Sequence, residues 1–291
     1  MRLKGVYTAL ITPFKNGKVD DNAYADFINW QIEQGVSGVI PCGTTGEAAT
    51  LSYEEHEHVV ELCIEVVNKR VAVIAGTGSN CTDEAIRLGL AAKKAGADYL
   101  LSVTPYYNKP SQEGLYRHFK RLTEVVDAPH ILYNVPGRTG IDLSVDTVIR
   151  LAQLPNIVGI KDAHIDLSRP AKIRQAVPDT FSLLSGEDAT AAAFLAQGGD
   201  GVISVTSNIA PKMLADMHKA WWDRDMETFG RLRDRLIDVH TAMFCESNPC
   251  PVKYAVSLLG KCENSVRLPL WEISDASKQK VSAAMRKAGI I

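Results

Sequence analysis

Ile157-Val158-Gly159-Ile160-Lys161, continued by Asp162-Ala163, is a short apolar, β-branched run that ends in a charge. Turn signals at Pro155-Asn156 precede it, and a polar stretch begins at His164. The run is continuously apolar rather than alternating, as in a strand of a parallel sheet covered on both faces. An ammonium at the end of such a strand is poorly solvated. Desolvation favours the neutral amine, and a neutral amine attacks carbonyl carbon to give a Schiff base. The competing reading is a strand-end lysine whose stem lies on apolar surface while its charge reaches water.

The same kind of run recurs along the chain, each followed by a helical pattern. Strands are expected at Val6–Phe14, Val36–Cys42, Val71–Ala75, Tyr99–Val103, His130–Val135, Ile157–Lys161, Phe181–Leu184 and Val202–Val205. The helices between and after them are expected at Asp20–Gln34, Ser52 to about Arg70, Thr82–Lys94, Ser111–Val126, Ser144–Leu154, Ser168–Ala176, Ala189–Ala196 and Pro211–Trp222. Ser52-Tyr53-Glu54-Glu55 is a capping-box signature that opens the second of these. Eight βα units with short connections predict an α/β fold, a closed (β/α)8 TIM barrel. After residue 225 only helical patterns follow, at Glu227–Phe244, Val252–Leu259 and Ala276–Lys287. The expected division is a barrel over 1–225 and a helical extension over 226–291.

The chain has 291 residues, 46% hydrophobic and 23% charged, with a net charge of −2. That composition suits a large packed core and carries no broad basic footprint for nucleic acid. Arg231, Arg233 and Arg235 alternate with Leu232, Asp234 and Leu236, the pattern of a solvated helix face. No apolar stretch approaches the ~20 residues of a membrane span. The six cysteines form no CxxC and match no zinc spacing, so they are read as reduced and the expected compartment is the cytoplasm.

In a barrel of this kind, chemistry gathers where the strands end. Here they end in Gly43-Thr44-Thr45-Gly46-Glu47, Gly76-Thr77-Gly78-Ser79-Asn80, Thr104-Pro105-Tyr106-Tyr107-Asn108, Tyr133 through Gly140, Ser185-Gly186-Glu187-Asp188, and Ser204 to Asn208. A Gly-Thr-Thr-Gly turn offers hydroxyls and backbone N–H groups to a carboxylate; the plainer reading is an ordinary glycine turn. Without a following Gly-Lys-Ser/Thr it is no phosphate loop. Tyr133 suits proton transfer if partners position its hydroxyl, and is otherwise a core ring with its hydroxyl at the rim. Arg138, on a loop bounded by Pro136 and Gly140, suits a carboxylate or a surface ion pair. Tyr106-Tyr107 suits an interface as well as an active site.

These motifs resemble the dihydrodipicolinate synthase family. The likeness lies in Gly38 to Glu47 (GVIPCGTTGE), Tyr133 to Gly140 (YNVPGRTG) with Gly159 to Ala163 (GIKDA), Thr104 to Gly114, Leu184-Ser185-Gly186, Gly201 to Val205 and Asn248 to Lys253. It spans the whole chain. The resemblance implies a class I aldolase-type lyase in lysine biosynthesis. Lys161 would form a Schiff base with pyruvate, which then condenses with L-aspartate 4-semialdehyde. It implies Tyr133 as proton donor and acceptor, Thr44 and Tyr107 as its relay, and Tyr107 reaching in from a neighbouring subunit of a homotetramer. Thr45 would hold the pyruvate carboxylate, Arg138 the carboxylate of the second substrate, and Gly186 and Ile203 would line the pocket. Neither metal nor organic cofactor is implied. Sister enzymes, N-acetylneuraminate lyase and the keto-deoxy-sugar-acid aldolases, share the lysine and tyrosine; Thr44 and Arg138 point away from them. A keto-acid-binding barrel without turnover is the alternative outside enzymes, and it would have no use for a nucleophile.

The resemblance also implies an inhibitory L-lysine site at Ala49, Tyr53, His56, Asn80, Glu84 and Tyr106. Ala48 and Tyr53 stand where the family often has serine and histidine, so weak inhibition is expected. The alternative is that His56 and His58 are solvated helix residues. His164-Ile165 replaces a common Thr-Gly, with His164 expected on the surface of its loop.

Overall fold

The computed structural model describes residues 2–291; Met1, the first residue of the expected 1–225 barrel, lies outside them. Eight parallel strands close into a barrel: β1 (Gly5–Ala9), β2 (Gly38–Ile40), β3 (Ala72–Gly76), β4 (Tyr99–Val103), β5 (His130–Asn134), β6 (Ile157–Asp162), β7 (Ser182–Ser185) and β8 (Gly201–Ser204). Around the ring the order is β1-β8-β7-β6-β5-β4-β3-β2. Every strand was expected from its apolar run, and Tyr99–Val103 has the expected bounds.

Two runs are exceptions: of Val36–Cys42 only Gly38–Ile40 is strand, with Cys42 in a turn at φ +54°, and the first run departs further. Val6–Phe14 is not one strand: the ladder stops at Ala9. Beyond it Ile11 N–H donates to Asn208 Oδ1 at 3.1 Å, Thr12 Oγ1 donates to the Gly46 carbonyl at 2.7 Å, and Pro13 has no N–H. Phe14–Lys15 then pairs antiparallel with Lys18–Val19. The turn between them is Asn16-Gly17, both at positive φ (52° and 76°), the strongest short hairpin signal.

By its internal contacts the chain falls into two units. One is Ile74–Ile203 with the N-terminal residues through Lys4; the other is Gly5–Val73 with Ser204–Ile291. The first unit carries helices Thr82–Ala95, Gln112–Val125, Val145–Leu151, Arg169–Arg174 and Ala191–Ala196. Its core includes Leu115, Phe119, Leu132, Ile160, Phe181 and Leu183. Gly159 is required there, because a Cβ would lie 2.7 Å from the Ser182 carbonyl oxygen. The second unit carries Asp21–Glu33, Tyr53–Val67, Pro211–Asp223, Met226–Ala242, Cys250–Leu258 and Asp275–Lys287. Tyr24, Phe27, Ile28 and Phe14 are fully buried within it. The capping box is formed: Ser52 Oγ accepts from Glu55 N–H and Glu55 accepts from Ser52 N–H. Arg231, Arg233 and Arg235 are exposed, as their pattern requires.

Candidate active site

Parallel register pairs Tyr133 of β5 with Lys161 of β6, and Lys161 in turn with Leu184 of β7. Register partners in a sheet project from the same face. Lys161 Nζ accordingly lies 4.3 Å from the centroid of the Tyr133 ring. Both side chains are buried, at 6% and 8% exposure. Lys161 Nζ makes no hydrogen bond and no ion pair among the described residues. A buried lysine without an ion pair is rare, and this one lies over an aromatic face.

Asp162, the next residue, points the opposite way, as strand alternation requires. Arg169 Nε donates to its Oδ2 at 2.9 Å and Asn134 Nδ2 to its Oδ1 at 3.0 Å. Asn134 Nδ2 also reaches Asp142 Oδ1 at 2.8 Å, and Arg169 donates to Asp142 and to the Leu143 carbonyl. This buried network clamps the ends of β5 and β6 behind Tyr133 and Lys161. Gly186 N–H donates to the Asp162 carbonyl at 2.8 Å, and a Cβ on Gly186 would come within 2.8 Å of the Ala163 Cβ. The chain leaving β7 therefore runs against the end of β6. Burial, then Asp188, raises the Glu187 carboxyl above its ordinary range, and the nearby Lys161 charge opposes that rise. Ile203 is buried in β8.

Arg138 is exposed on the short helix Pro136–Thr139, where the sequence predicts a loop. That helix ends at Gly140, φ +69°, where a Cβ would lie 3.1 Å from Lys109 Cε. Tyr107 stands out from the loop after β4, 89% exposed at φ +71°. Asn108 Nδ2 ties this loop to the Asn80 carbonyl at 2.9 Å. Glu84, also exposed, accepts from Ser79 Oγ at 2.7 Å, and Tyr106 is partly exposed nearby in sequence.

In the second unit, Thr44 is exposed and Thr45 buried in the loop after β2. The N–H groups of Gly46 and Glu47 bond inward to the carbonyls of Gly43 and Thr44. Contrary to a turn of wholly free donors, only the N–H groups of Gly43, Thr44 and Thr45 are left without a hydrogen bond among the described residues. Glu47 takes φ +57° and is buried. Its Oε1 pairs with Lys253 Nζ at 2.5 Å, both side chains fully buried, and its Oε2 accepts from Arg267 N–H at 3.0 Å. Asn248 Nδ2 donates to Thr45 Oγ1 at 3.1 Å. Asn248 and Lys253 had entered only as letters of a family motif. No periodicity marks them, because their importance lies in contacts more than 200 residues away. Ala49 is exposed and Tyr53 half-buried, while His56 is buried at 6% exposure, which rules out the solvated reading for it. His58 is exposed and pairs with Asp21 at 2.9 Å. His164 is partly exposed and Ile165 is 94% exposed. His164 Nδ1 accepts from Asp166 N–H at 2.9 Å.

A cavity of 430 Å³ lies at the opposite, N-terminal ends of β4, β6 and β7, lined by Leu3, Tyr99, Ala152, Leu154 and Phe181 among others. It contains no nucleophile of the strand-end set. Among the described residues no three His, Cys, Asp or Glu side chains are grouped to hold a metal ion, and no helix is long and apolar enough to cross a membrane.

The chain matches the Dihydrodipicolinate synthetase family over residues 2–288. It is 55% identical over 288 residues to the 4-hydroxy-tetrahydrodipicolinate synthase of Rhodospirillum centenum, covering 99% of both chains. It is similar to the crystal structure of the chloride-inhibited dihydrodipicolinate synthase from Acinetobacter baumannii complexed with pyruvate (TM-score 0.96, 47% identity, 99% of each chain). It is also similar to that of the Cyanidioschyzon merolae enzyme with lysine bound (TM-score 0.96, 39% identity, 99% of each chain). The closed barrel, the strand-end motifs and this full-length likeness agree: the chain belongs to the dihydrodipicolinate synthase family.

Proposed function

We propose that this chain condenses pyruvate with L-aspartate 4-semialdehyde, the reaction of a 4-hydroxy-tetrahydrodipicolinate synthase. The observation that carries the reading is a buried lysine, free of any ion pair, set in register beside a buried tyrosine. Lys161 Nζ attacks the keto carbon of pyruvate and water leaves, giving an imine. Loss of a methyl proton turns the imine into an enamine, which attacks the aldehyde carbon of the semialdehyde. The amine of that substrate then adds to the imine carbon, expels Lys161 and closes the ring. Each step moves a proton, which suits hydroxyls in series. Tyr133 is the donor and acceptor, relayed by Thr44 and by Tyr107 of a neighbouring subunit. Thr45, with the unbonded N–H groups of its loop, holds the pyruvate carboxylate. Arg138, exposed and cationic, takes the carboxylate of the second substrate. Gly186 and Ile203 line the pocket.

The proposal includes a cytoplasmic homotetramer and a weak L-lysine site at Ala49, Tyr53, His56, Asn80, Glu84 and Tyr106. Incubation with pyruvate and borohydride is expected to add one reduced pyruvate to the peptide that bears Lys161. Lys161→Ala should take no label and lose nearly all turnover. Labelling elsewhere, or none, would sink the Schiff-base reading. Labelling with cleavage of a sugar acid, and no condensation with the semialdehyde, would favour the sister lyases.

A further inference from the structure

Thr45 is 2% exposed, and its hydroxyl has a single hydrogen-bond partner among the described residues, Nδ2 of Asn248. An amide nitrogen only donates. Thr45 Oγ1 is therefore the acceptor at 3.1 Å, and its one hydroxyl hydrogen stays available for an acceptor of its own. A partner that accepted instead would draw that hydrogen away. Asn248, itself 5% exposed, sits just before the helix Cys250–Leu258. The same segment is tied to the same loop a second time, by the buried pair of Lys253 with Glu47. Lys253 Nζ also donates to the Ser265 carbonyl at 2.7 Å and lies 3.9 Å over the Phe14 ring, so the anchor is satisfied on several sides. Two residues of the 248–253 segment thus hold two residues of the 45–47 turn.

We propose that Asn248 is a positioning residue that sets the polarity of Thr45, making its hydroxyl a donor to the carboxylate of the keto acid. The Lys253–Glu47 pair holds the turn at that setting. This inference rests on Thr45 as the ligand of the pyruvate carboxylate. It gives the helical segment after residue 225 a part in substrate recognition.

Asn248→Asp keeps the shape and replaces the donor with an acceptor. The concentration of pyruvate that half-saturates borohydride trapping is expected to rise about tenfold or more, with the same labelling plateau. Half-saturation by the semialdehyde should change less than about twofold in the turnover assay. The new carboxylate also repels an anion, so the substitution is repeated in a Thr45→Val background. There its effect should shrink to below about threefold. The uncharged variant Asn248→Ala should raise half-saturation several-fold with Thr45 present and not at all in the Thr45→Val background, which lacks the hydroxyl; should Asn248→Asp not fold, this second cycle decides. An equal increase in both backgrounds, or no increase with Thr45 present, overturns the proposal. No labelling of the unsubstituted protein overturns the Schiff-base reading instead, which keeps the two failures apart.

Discussion

Lys161 and Lys253 are both buried lysines, and their surroundings divide their roles. Lys253 is the more deeply buried, yet it faces Glu47 at 2.5 Å and is a structural cation. Burial pulls its ammonium pKa below the ordinary lysine value, and the Glu47 charge opposes that pull. Lys161 has no ion pair among the described residues, which is why it is the lysine proposed as nucleophile. Depth of burial alone would have pointed to Lys253. The strand-end position made Lys161 legible in the sequence, whereas nothing local to Lys253 announces a carboxylate as far back in the chain as Glu47. A third buried group makes the residue scale testable by pH. Burial holds the His118 imidazole down at about 4, against 6.5 unperturbed. Its Nδ1 bonds Thr82 Oγ1 at 2.9 Å and its Nε2 is enclosed without a partner. The unfolded chain takes up a proton below 6.5 and the folded chain does not until about 4. The stability from keeping this ring neutral is thus complete above pH 6.5 and declines as pH falls toward 4, by about 3 kcal/mol at most. Denaturant melts across this range should show the decline, and His118→Gln should flatten much of it. Burial lowers His130 in the same direction, so a smaller slope should remain in the variant. An unchanged slope would mean that His118 is protonated in the fold.

Among the elements, those read most securely are the ones whose signals are local. The helix Tyr53–Val67 was announced by its capping box, and both bonds of that box are formed. Glu55 serves twice, since Arg267 also forks onto its two oxygens at 2.6 and 2.7 Å and holds its carboxyl down to about 2. Ser52→Ala removes only the cap and should lower stability by about 1 kcal/mol, read as a shift in denaturant midpoint at constant slope. A shift near zero would mean that Arg267 alone anchors this helix start. The elements that were missed have physical reasons. The hairpin at Asn16-Gly17 lies behind four buried residues, Leu10 to Pro13, that look like strand because they are apolar. Their backbone groups are met instead by Ile40, Asn208 and Asp20, and the Thr12 hydroxyl by the Gly46 carbonyl, contacts the local sequence does not reveal. The short helix at Pro136–Thr139 carries glycine and proline, which read as a loop. The strand-end motifs named nearly every residue of the candidate site. The Asn134, Asp162 and Arg169 clamp behind them joins separate elements through side chains and leaves no local sequence signal.

For the whole molecule, the question is where the Tyr107 ring goes. A bulky non-glycine residue at φ +71° is strained, and this one holds an aromatic ring almost wholly in water. Within one chain that arrangement exposes apolar area with no return. The Asn108 bond to the Asn80 carbonyl nonetheless holds the loop in place. In the homotetramer proposed above, a second copy of the chain would supply both a cover for the ring and a use for its hydroxyl, in the proton relay of the neighbouring site. Tyr107→Phe should then keep its melting temperature and its labelling by pyruvate, and lose most turnover. The decisive measurement is complementation. Tyr107→Phe and Lys161→Ala should each be nearly inactive, but in a mixed dimer one site would combine an intact Lys161 with an intact Tyr107 from the other protomer. Equal amounts, unfolded together and refolded, should regain about a quarter of normal activity, because half the dimers are mixed and one site in each is whole. Should Tyr107 serve the site of its own chain, both sites of every mixed dimer lack one group, and the mixture would stay as inactive as its parts.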